Sequence, residues 1–199
     1  MCVILMSSNP VIIGIQGYKG SFNDEASTLY CEDHGISAYT KEYLYTTDRV
    51  FNSLELNQVN YGIFALSNNL SGVILESVDA MGAHLFDVLD VFDMPVVYSL
   101  LVKKGVKKDK IDRIVSHPSI IDACREELDS DFSDIQIESG SGVLIDQAAV
   151  AAHLAEVGSP DSLAVIAPQG CATLYGLDIL VEKINTIDSF TTFVWCKRR

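Results

Sequence analysis

Positive charge is scarce in this chain. Its 199 residues hold 14 Lys and Arg against 27 Asp and Glu, a formal net charge of −13 at pH 7, and a field of that sign repels phosphate backbones and anionic lipid. Nucleic acid and membranes are therefore excluded as main partners, and a small molecule is expected instead. Long apolar runs are missing too. A membrane helix needs roughly 18 consecutive apolar residues, whereas Cys2-Val3-Ile4-Leu5-Met6 is short and lacks the basic flank of a secretion signal. A cytoplasmic protein is expected. The five cysteines, Cys2, Cys31, Cys124, Cys171 and Cys196, are widely spaced and form no Cys-x-x-Cys pair, which argues against a disulfide framework or a zinc knuckle. Idle, buried thiols are expected, with no metal. What is present is ordinary: 48% hydrophobic and 21% charged residues place the chain among globular proteins large enough to bury a core.

Strand-like and helix-like segments alternate. Val11-Ile12-Ile13-Gly14-Ile15 is a short apolar run, the pattern of a strand buried on both faces. A helix is expected from Asn23-Asp24-Glu25, where acids suit the positive helix end, with Ala26, Leu29 and Tyr30 inward and Gly35 as the stop. Ile36 to Tyr45 reads as a strand, Asp48 to Leu56 as a helix burying Val50, Phe51 and Leu54, and Tyr61 to Leu66 as a third strand. That βαβαβ order predicts a parallel sheet. A second series begins after Met94 to Val102. Arg113 to Val115 is a strand; Ser116-His117-Pro118 opens a helix with Pro118 at its first position and Ile120, Ile121, Cys124 and Leu128 inward. Ile135 to Ile137 and Leu163 to Ala167 are further strands, flanking an Ala-rich helix from Val143 to Glu156. The closing strand, Phe190 to Cys196, is expected to return beside Val96 to Val102. Two lobes with a cleft at their hinge follow, and clefts of that kind hold ligands.

Three segments can carry chemistry. Gly14 to Ser21 is rich in glycine, but Lys19 precedes Gly20, so this is no phosphate-binding loop of the Walker type. It remains a strand-to-helix turn whose free N–H groups and Ser21 hydroxyl suit a carboxylate. Ser67-Asn68-Asn69-Leu70-Ser71-Gly72 lies at the carboxyl end of the third strand, where open α/β sheets place ligands. In Ser189-Phe190-Thr191-Thr192-Phe193, alternation puts Thr191 and Phe193 on one face and Thr192 on the other. His117 reads as a capping residue rather than a catalytic one. The lysines at 103, 104, 107, 108 and 110 read as a solvated loop, so the pocket cannot be richly cationic.

In their order along the chain these segments resemble the prephenate dehydratase family, lyases that convert prephenate to phenylpyruvate. The family's Gly-Pro-Glu-Gly-Thr-Phe-Ser stands as Gly17-Tyr18-Lys19-Gly20-Ser21-Phe22-Asn23, and its Pro-Ile-Glu-Asn-Ser as Ala65-Leu66-Ser67-Asn68-Asn69 with Gly72 following. Ser116-His117-Pro118 matches outright. Ile166-Ala167 through Leu174-Tyr175-Gly176-Leu177 matches with Pro168 in place of a Ser, and the closing Asn-x-Thr-Arg-Phe stands as Ser189-Phe190-Thr191-Thr192-Phe193. The resemblance implies an α/β, two-lobed, type II periplasmic-binding-protein-like fold with a cleft at the hinge, residues 10–93 with 185–199 forming one lobe and 94–184 the other. It implies no cofactor, a homo-oligomer, and prephenate or a similar cyclohexadienyl acid as substrate.

By the same resemblance Thr191 is the catalytic residue, and Gly20, Ser21, Phe22, Asn23, Ser67, Asn68, Asn69, Thr192 and Phe193 bind substrate, with main-chain N–H groups near Gly20 and Asn68 holding its carboxylates. Four motif positions depart from the family: its Arg is Thr192, its Glu is Ser67, and two of its Ser residues are Asn69 and Asn23. A charged hydrogen bond lost in this way costs about 1.5–3 kcal/mol. The family's regulatory ACT domain would begin where this sequence stops, so feedback by phenylalanine through it is not expected. The leading expectation is a dehydratase of phenylalanine biosynthesis. Two others stand beside it: a non-aromatising prephenate decarboxylase of a specialised pathway, and a catalytically silent module that binds small carboxylates.

Overall fold

The computed structural model describes residues 10–142, 146–185 and 187–199. The chain builds two mixed sheets. In the first, β1 (Val11–Ile15) lies between β2 (Tyr39–Tyr43) and β3 (Tyr61–Asn68), parallel to both. The crossovers are α1 (Phe22–Asp33) and α2 (Thr47–Glu55), as the βαβαβ reading requires. Val50, Phe51 and Leu54 of α2 are buried. Gly62 of β3 lets this helix come close, because a Cβ there would meet Val50 Cγ1 at 2.5 Å. The two-residue strand β4 (Gly72–Val73) folds back on β3, and α3 (Leu75–Ala83) follows it.

Next come β5 (Phe86–Val96) and, from the far end of the sequence, β11 (Ser189–Arg198), giving the order β2-β1-β3-β11-β5. Here the expectation fails in one respect. The last strand does not return beside Val96 to Val102; it is antiparallel to β3 and to β5, with Thr191 opposite Asn68 and Met94. The reason is that the apolar run from Met94 to Val102 is two strands. Its first part ends β5, and its second is β6 (Tyr98–Val102), which belongs to the other sheet. That sheet has the order β10-β6-β9-β7-β8, from β7 (Arg113–Ser116), β8 (Gln136–Ser139), β9 (Leu163–Pro168) and β10 (Asp178–Val181). The chain thus crosses between lobes after β5 and again between β10 and β11.

Helices of the second lobe follow their local signals. His117 caps α4 (Pro118–Ala123), and Pro118 takes its first position. The helix stops at Cys124 and resumes as α5 (Arg125–Asp131), still burying Ile120, Ile121, Cys124 and Leu128. The Ala-rich helix α6 spans Gln147–Leu154, capped by Asp146; the expected start at Val143 lies outside the described residues. A short helix α7 (Gly170–Tyr175) precedes β10.

Two packing expectations are corrected. Leu29 of α1 is 42% exposed, and Ser27 and Cys31 are buried with Ala26 instead, because α1 leans on the sheet by a narrower face than its apolar residues suggest. The lysine segment is not wholly solvated: Lys108 Nζ lies 4.3 Å from the Phe132 ring centroid, and Lys103 Nζ reaches Ser159 O and sits 3.4 Å from Asp161 Oδ1. Trp195 of β11 is the largest fully buried side chain and stacks on Tyr30 at 4.4 Å and Tyr61 at 5.5 Å, which fastens α1 to the sheet behind the cleft.

Candidate active site

The cleft opens at the carboxyl ends of β1 and β3, against the amino ends of α1, α4 and α6, with a volume of about 470 Å³. One wall is the turn from β1 into α1. Gly17 and Gly20 have φ of 92° and 88°, which side-chain-bearing residues rarely adopt. A Cβ on Gly20 would also lie 3.0 Å from Leu174 Cδ2 and 3.1 Å from Cys171 Sγ, because α7 of the other lobe packs on the turn. Tyr175 Oη donates to Lys19 O at 2.6 Å across the same contact.

The turn's amides are not free. Gly17 N donates to Tyr45 O at 3.0 Å, Tyr18 N to Asp146 Oδ2 at 3.3 Å, and Gly20 N to Asp24 Oδ2 at 2.8 Å. Asp24 is fixed there by Lys41 Nζ at 2.6 Å and Tyr43 Oη at 3.1 Å. The N–H of Gly20, offered above to a ligand carboxylate, is thus spent on a carboxylate of the protein. What stays open is the helix end itself. Ser21 caps α1 by accepting from Asp24 N, and the N–H groups of Phe22 and Asn23 have no acceptor among the described residues. They stand at the positive end of a 12-residue helix, where an anion is favoured.

The opposite wall is the β3–β11 pair. Asn68 Nδ2 donates to Ser189 Oγ at 2.9 Å and to Thr191 Oγ1 at 3.0 Å, while Asn68 Oδ1 accepts from Leu70 N at 2.9 Å and Ser71 N at 3.2 Å. Both ends of this amide are committed, which fixes its orientation. Thr191 therefore accepts from Asn68, and its own hydroxyl proton has no acceptor among the described residues. Thr191 is 7% exposed and lines the cleft. A hydroxyl so held is poised to donate to something in the cavity.

The floor comes from the second lobe. His117 Nδ1 accepts from Ser119 N at 3.2 Å and lies 2.7 Å from Ser119 Oγ. Burial lowers its pKa, against the opposing pull of Asp146, so the imidazole is neutral at pH 7 and supplies no positive charge. Asp146 Oδ1 accepts from Ala148 N and Ala149 N, both at 2.9 Å. Burial pushes its carboxyl above the ordinary value, and the N–H groups of Ala149, Tyr18 and Ala148 act the other way. Glu76, from α3, accepts from Thr47 N and from Gln16 Nε2, each at 2.8 Å. Among the described residues the lining holds two carboxylates, Glu76 and Asp146, and no Lys or Arg.

Of the residues expected from the sequence, Ser21, Phe22, Asn23, Asn68, Thr191 and Phe193 line this cleft. Gly20, Ser67, Asn69 and Thr192 do not. Gly20 faces a separate groove beside α7. Ser67 pairs with Val73 and Thr192 in the sheet; Asn69 ties β3 to β11 by accepting from Phe190 N at 2.7 Å; and Thr192 Oγ1 donates to Asp93 Oδ1 at 2.6 Å. Sequence reasoning missed Gln16, Glu76, Tyr98 and Asp146, which reach the cavity from separate elements and share no spacing. Only the capping position of Asp146 left a local trace. Among the described residues no group of His, Cys, Asp and Glu is arranged to hold a metal ion, and no helix is long and apolar enough to cross a membrane.

A family profile described as prephenate dehydratase matches residues 13–199. The chain belongs to the prephenate dehydratase family. It is 28% identical over 185 residues to a bifunctional chorismate mutase/prephenate dehydratase of Stutzerimonas stutzeri, covering 93% of this chain and 48% of that protein. It is also 28% identical over 193 residues to arogenate dehydratase/prephenate dehydratase 1, chloroplastic, of Arabidopsis thaliana, covering 92% and 44%. The chain thus spans about half the length of these curated relatives. The crystal structure of a prephenate dehydratase from Arthrobacter aurescens, in complex with L-Phe, superposes with a TM-score of 0.82 at 21% identity, covering 95% of this chain and 61% of that one. That likeness establishes the shared two-lobed fold.

Proposed function

We propose that this chain is a carbon–oxygen lyase acting on prephenate or a closely similar cyclohexadienyl acid. In this reading the bond from the ring to its carboxylate breaks, carbon dioxide leaves, and the electron pair completes the aromatic ring. The ring C–O bond breaks at the same time, and its pair departs on oxygen as hydroxide, which takes one proton to become water. Aromatisation supplies the driving force. The protein has to orient the acid and ease off the hydroxyl. The observation that carries the reading is the Thr191 hydroxyl, held by Asn68 Nδ2 at 3.0 Å with its proton uncommitted among the described residues. Donation from Thr191 to the departing oxygen stabilises charge that develops only as the bond breaks. The Phe22 and Asn23 N–H groups hold one ligand carboxylate, and Phe193 packs against the ring.

The test is direct. The purified protein is incubated with the cyclohexadienyl acid, and the product is identified by mass and by its aromatic ultraviolet spectrum. An aromatic keto or amino acid supports the reading. Loss of carbon dioxide with the hydroxyl retained supports the non-aromatising decarboxylase instead, and binding without turnover supports the silent module. The committed amide of Asn68 favours the first, since its only visible use is to aim Ser189 and Thr191.

A further inference from the structure

Three places in the cleft offer N–H groups to a carboxylate, and the protein's own acids already fill two. Asp24 takes Gly20 N at 2.8 Å. Asp146 takes the first N–H groups of α6 through Oδ1 and, through Oδ2, Tyr18 N of the other lobe at 3.3 Å. Only the end of α1 at Phe22 and Asn23 remains. Asn23 adds an independent observation: its Oδ1 is buried and has no partner among the described residues, and Asn23 lines the cleft. A buried acceptor without a donor costs stability unless a ligand supplies one. The lining thus combines one open anion seat, an unsatisfied acceptor, the Glu76 and Asp146 carboxylates, and no Lys or Arg. Such a wall repels a dianion and attracts a donor-bearing cation.

We propose that the cleft selects a cyclohexadienyl amino acid over the corresponding keto acid, with Asp146, Glu76 and the Asn23 amide oxygen receiving its ammonium group. The inference rests on the dehydratase reading and narrows its substrate. Prephenate carries two carboxylates and a keto group, net charge about −2; its amino counterpart, arogenate, carries an ammonium as well, net charge about −1 at pH 7. One carboxylate sits on the α1 end. The other brings its own countercharge, and the ammonium replaces the missing arginine as the positive partner in the cleft.

The experiment is calorimetric titration of both acids into full-length Thr191→Val protein, which lacks the hydroxyl assigned to turnover, and into the same protein carrying Asp146→Asn or Glu76→Gln. Asn caps helices as well as Asp does, and Gln keeps an acceptor for Thr47 N, so both variants retain the local hydrogen bonds. The expected result is at least tenfold tighter binding of arogenate. In either variant that preference falls at least tenfold, through weaker arogenate binding and stronger prephenate binding. A preference below tenfold, or variants that weaken both acids alike, overturns the inference and leaves the dehydratase reading intact. If neither acid binds, both fall.

Discussion

Replacing Thr191 by Val is the most informative perturbation, because it removes one oxygen and keeps the shape. Thr191 is 7% exposed and accepts a single hydrogen bond, 3.0 Å from Asn68 Nδ2. The Asn68 amide keeps its bond to Ser189 Oγ at 2.9 Å. The structural cost is therefore one neutral hydrogen bond and one partly orphaned N–H, about 1–2 kcal/mol. For a protein of this size that lowers the melting temperature by roughly 2–4 °C per kcal/mol, which leaves the chain folded at 25 °C. The catalytic cost is larger. A positioned proton donor to a departing group contributes about 10²–10⁴ in rate, or roughly 3–5 kcal/mol of barrier.

The assay follows kcat and KM by product absorbance beside circular dichroism melts, for the wild type, Thr191→Val and Thr191→Ser. Loss of kcat by two or more decades in the Val variant, small change in KM, and substantial recovery in the Ser variant are expected. A Val variant that keeps more than a third of wild-type kcat while melting a few degrees lower would show that the hydroxyl only braces β3 against β11. The donation step would then be refuted.

Three further outcomes follow from particular contacts. His84 lies between Asp48 Oδ1 at 2.9 Å and Glu55 Oε1 at 2.8 Å, and those hydrogen bonds, Asp48 first, raise its pKa. Its stabilising contribution is therefore complete below its unfolded pKa of about 6.5 and is lost as pH rises through the raised folded value; the melting-temperature gap between wild type and His84→Gln should be widest near pH 5.5 and shrink toward pH 9, and a gap independent of pH would count against the clamp. Gly62→Ala drives a methyl to within 2.5 Å of Val50 Cγ1, so the urea midpoint should fall by an amount equal to about 1–3 kcal/mol; a change under half a kcal/mol would mean that α2 yields freely. Burial pushes the thiols of Cys124, Cys171 and Cys196 up to about 12, and thiolate is the reactive form, so in a Cys2→Ala background alkylation at pH 8 should label none of these three until denaturant is added, as mass spectrometry of the peptides will show.

What the sequence made legible was whatever local periodicity encodes. Strands β1 and β3 are apolar on both faces because helices cover the sheet, and α2 announces itself through Val50, Phe51 and Leu54. By contrast β5 hides: it is an edge strand carrying Asp87, Asp90 and Asp93, with Val88, Leu89 and Val91 exposed, so neither burial nor strict alternation marks it. Its partner was assigned wrongly for the same reason. The Thr191 and Phe193 face could be read because a period of two carries through β11, although the ladder with β3 shifts register just after Thr192. Glu76 and Asp146 could not, since each reaches the cleft through the packing of a distant helix end.

The departures from the family motif weigh differently once each residue has a place. Thr192, Ser67 and Asn69 look like losses from a binding site, yet all three serve the sheet: Thr192 bonds Asp93, Ser67 pairs in the ladder, and Asn69 bonds the backbone of β11 at Phe190 and Asp188. Such substitutions can leave the position of Thr191 intact, because that position depends on Asn68. The charge of the cleft depends on other residues. With His117 neutral and two carboxylates in the lining, the field at the cavity is set by Glu76 and Asp146, and neither lies in the motif segments. Catalytic geometry and ligand charge are therefore separable here. A substitution at Asn68 should abolish turnover of every acid that the cleft admits, while one at Asp146 should change which acid that is.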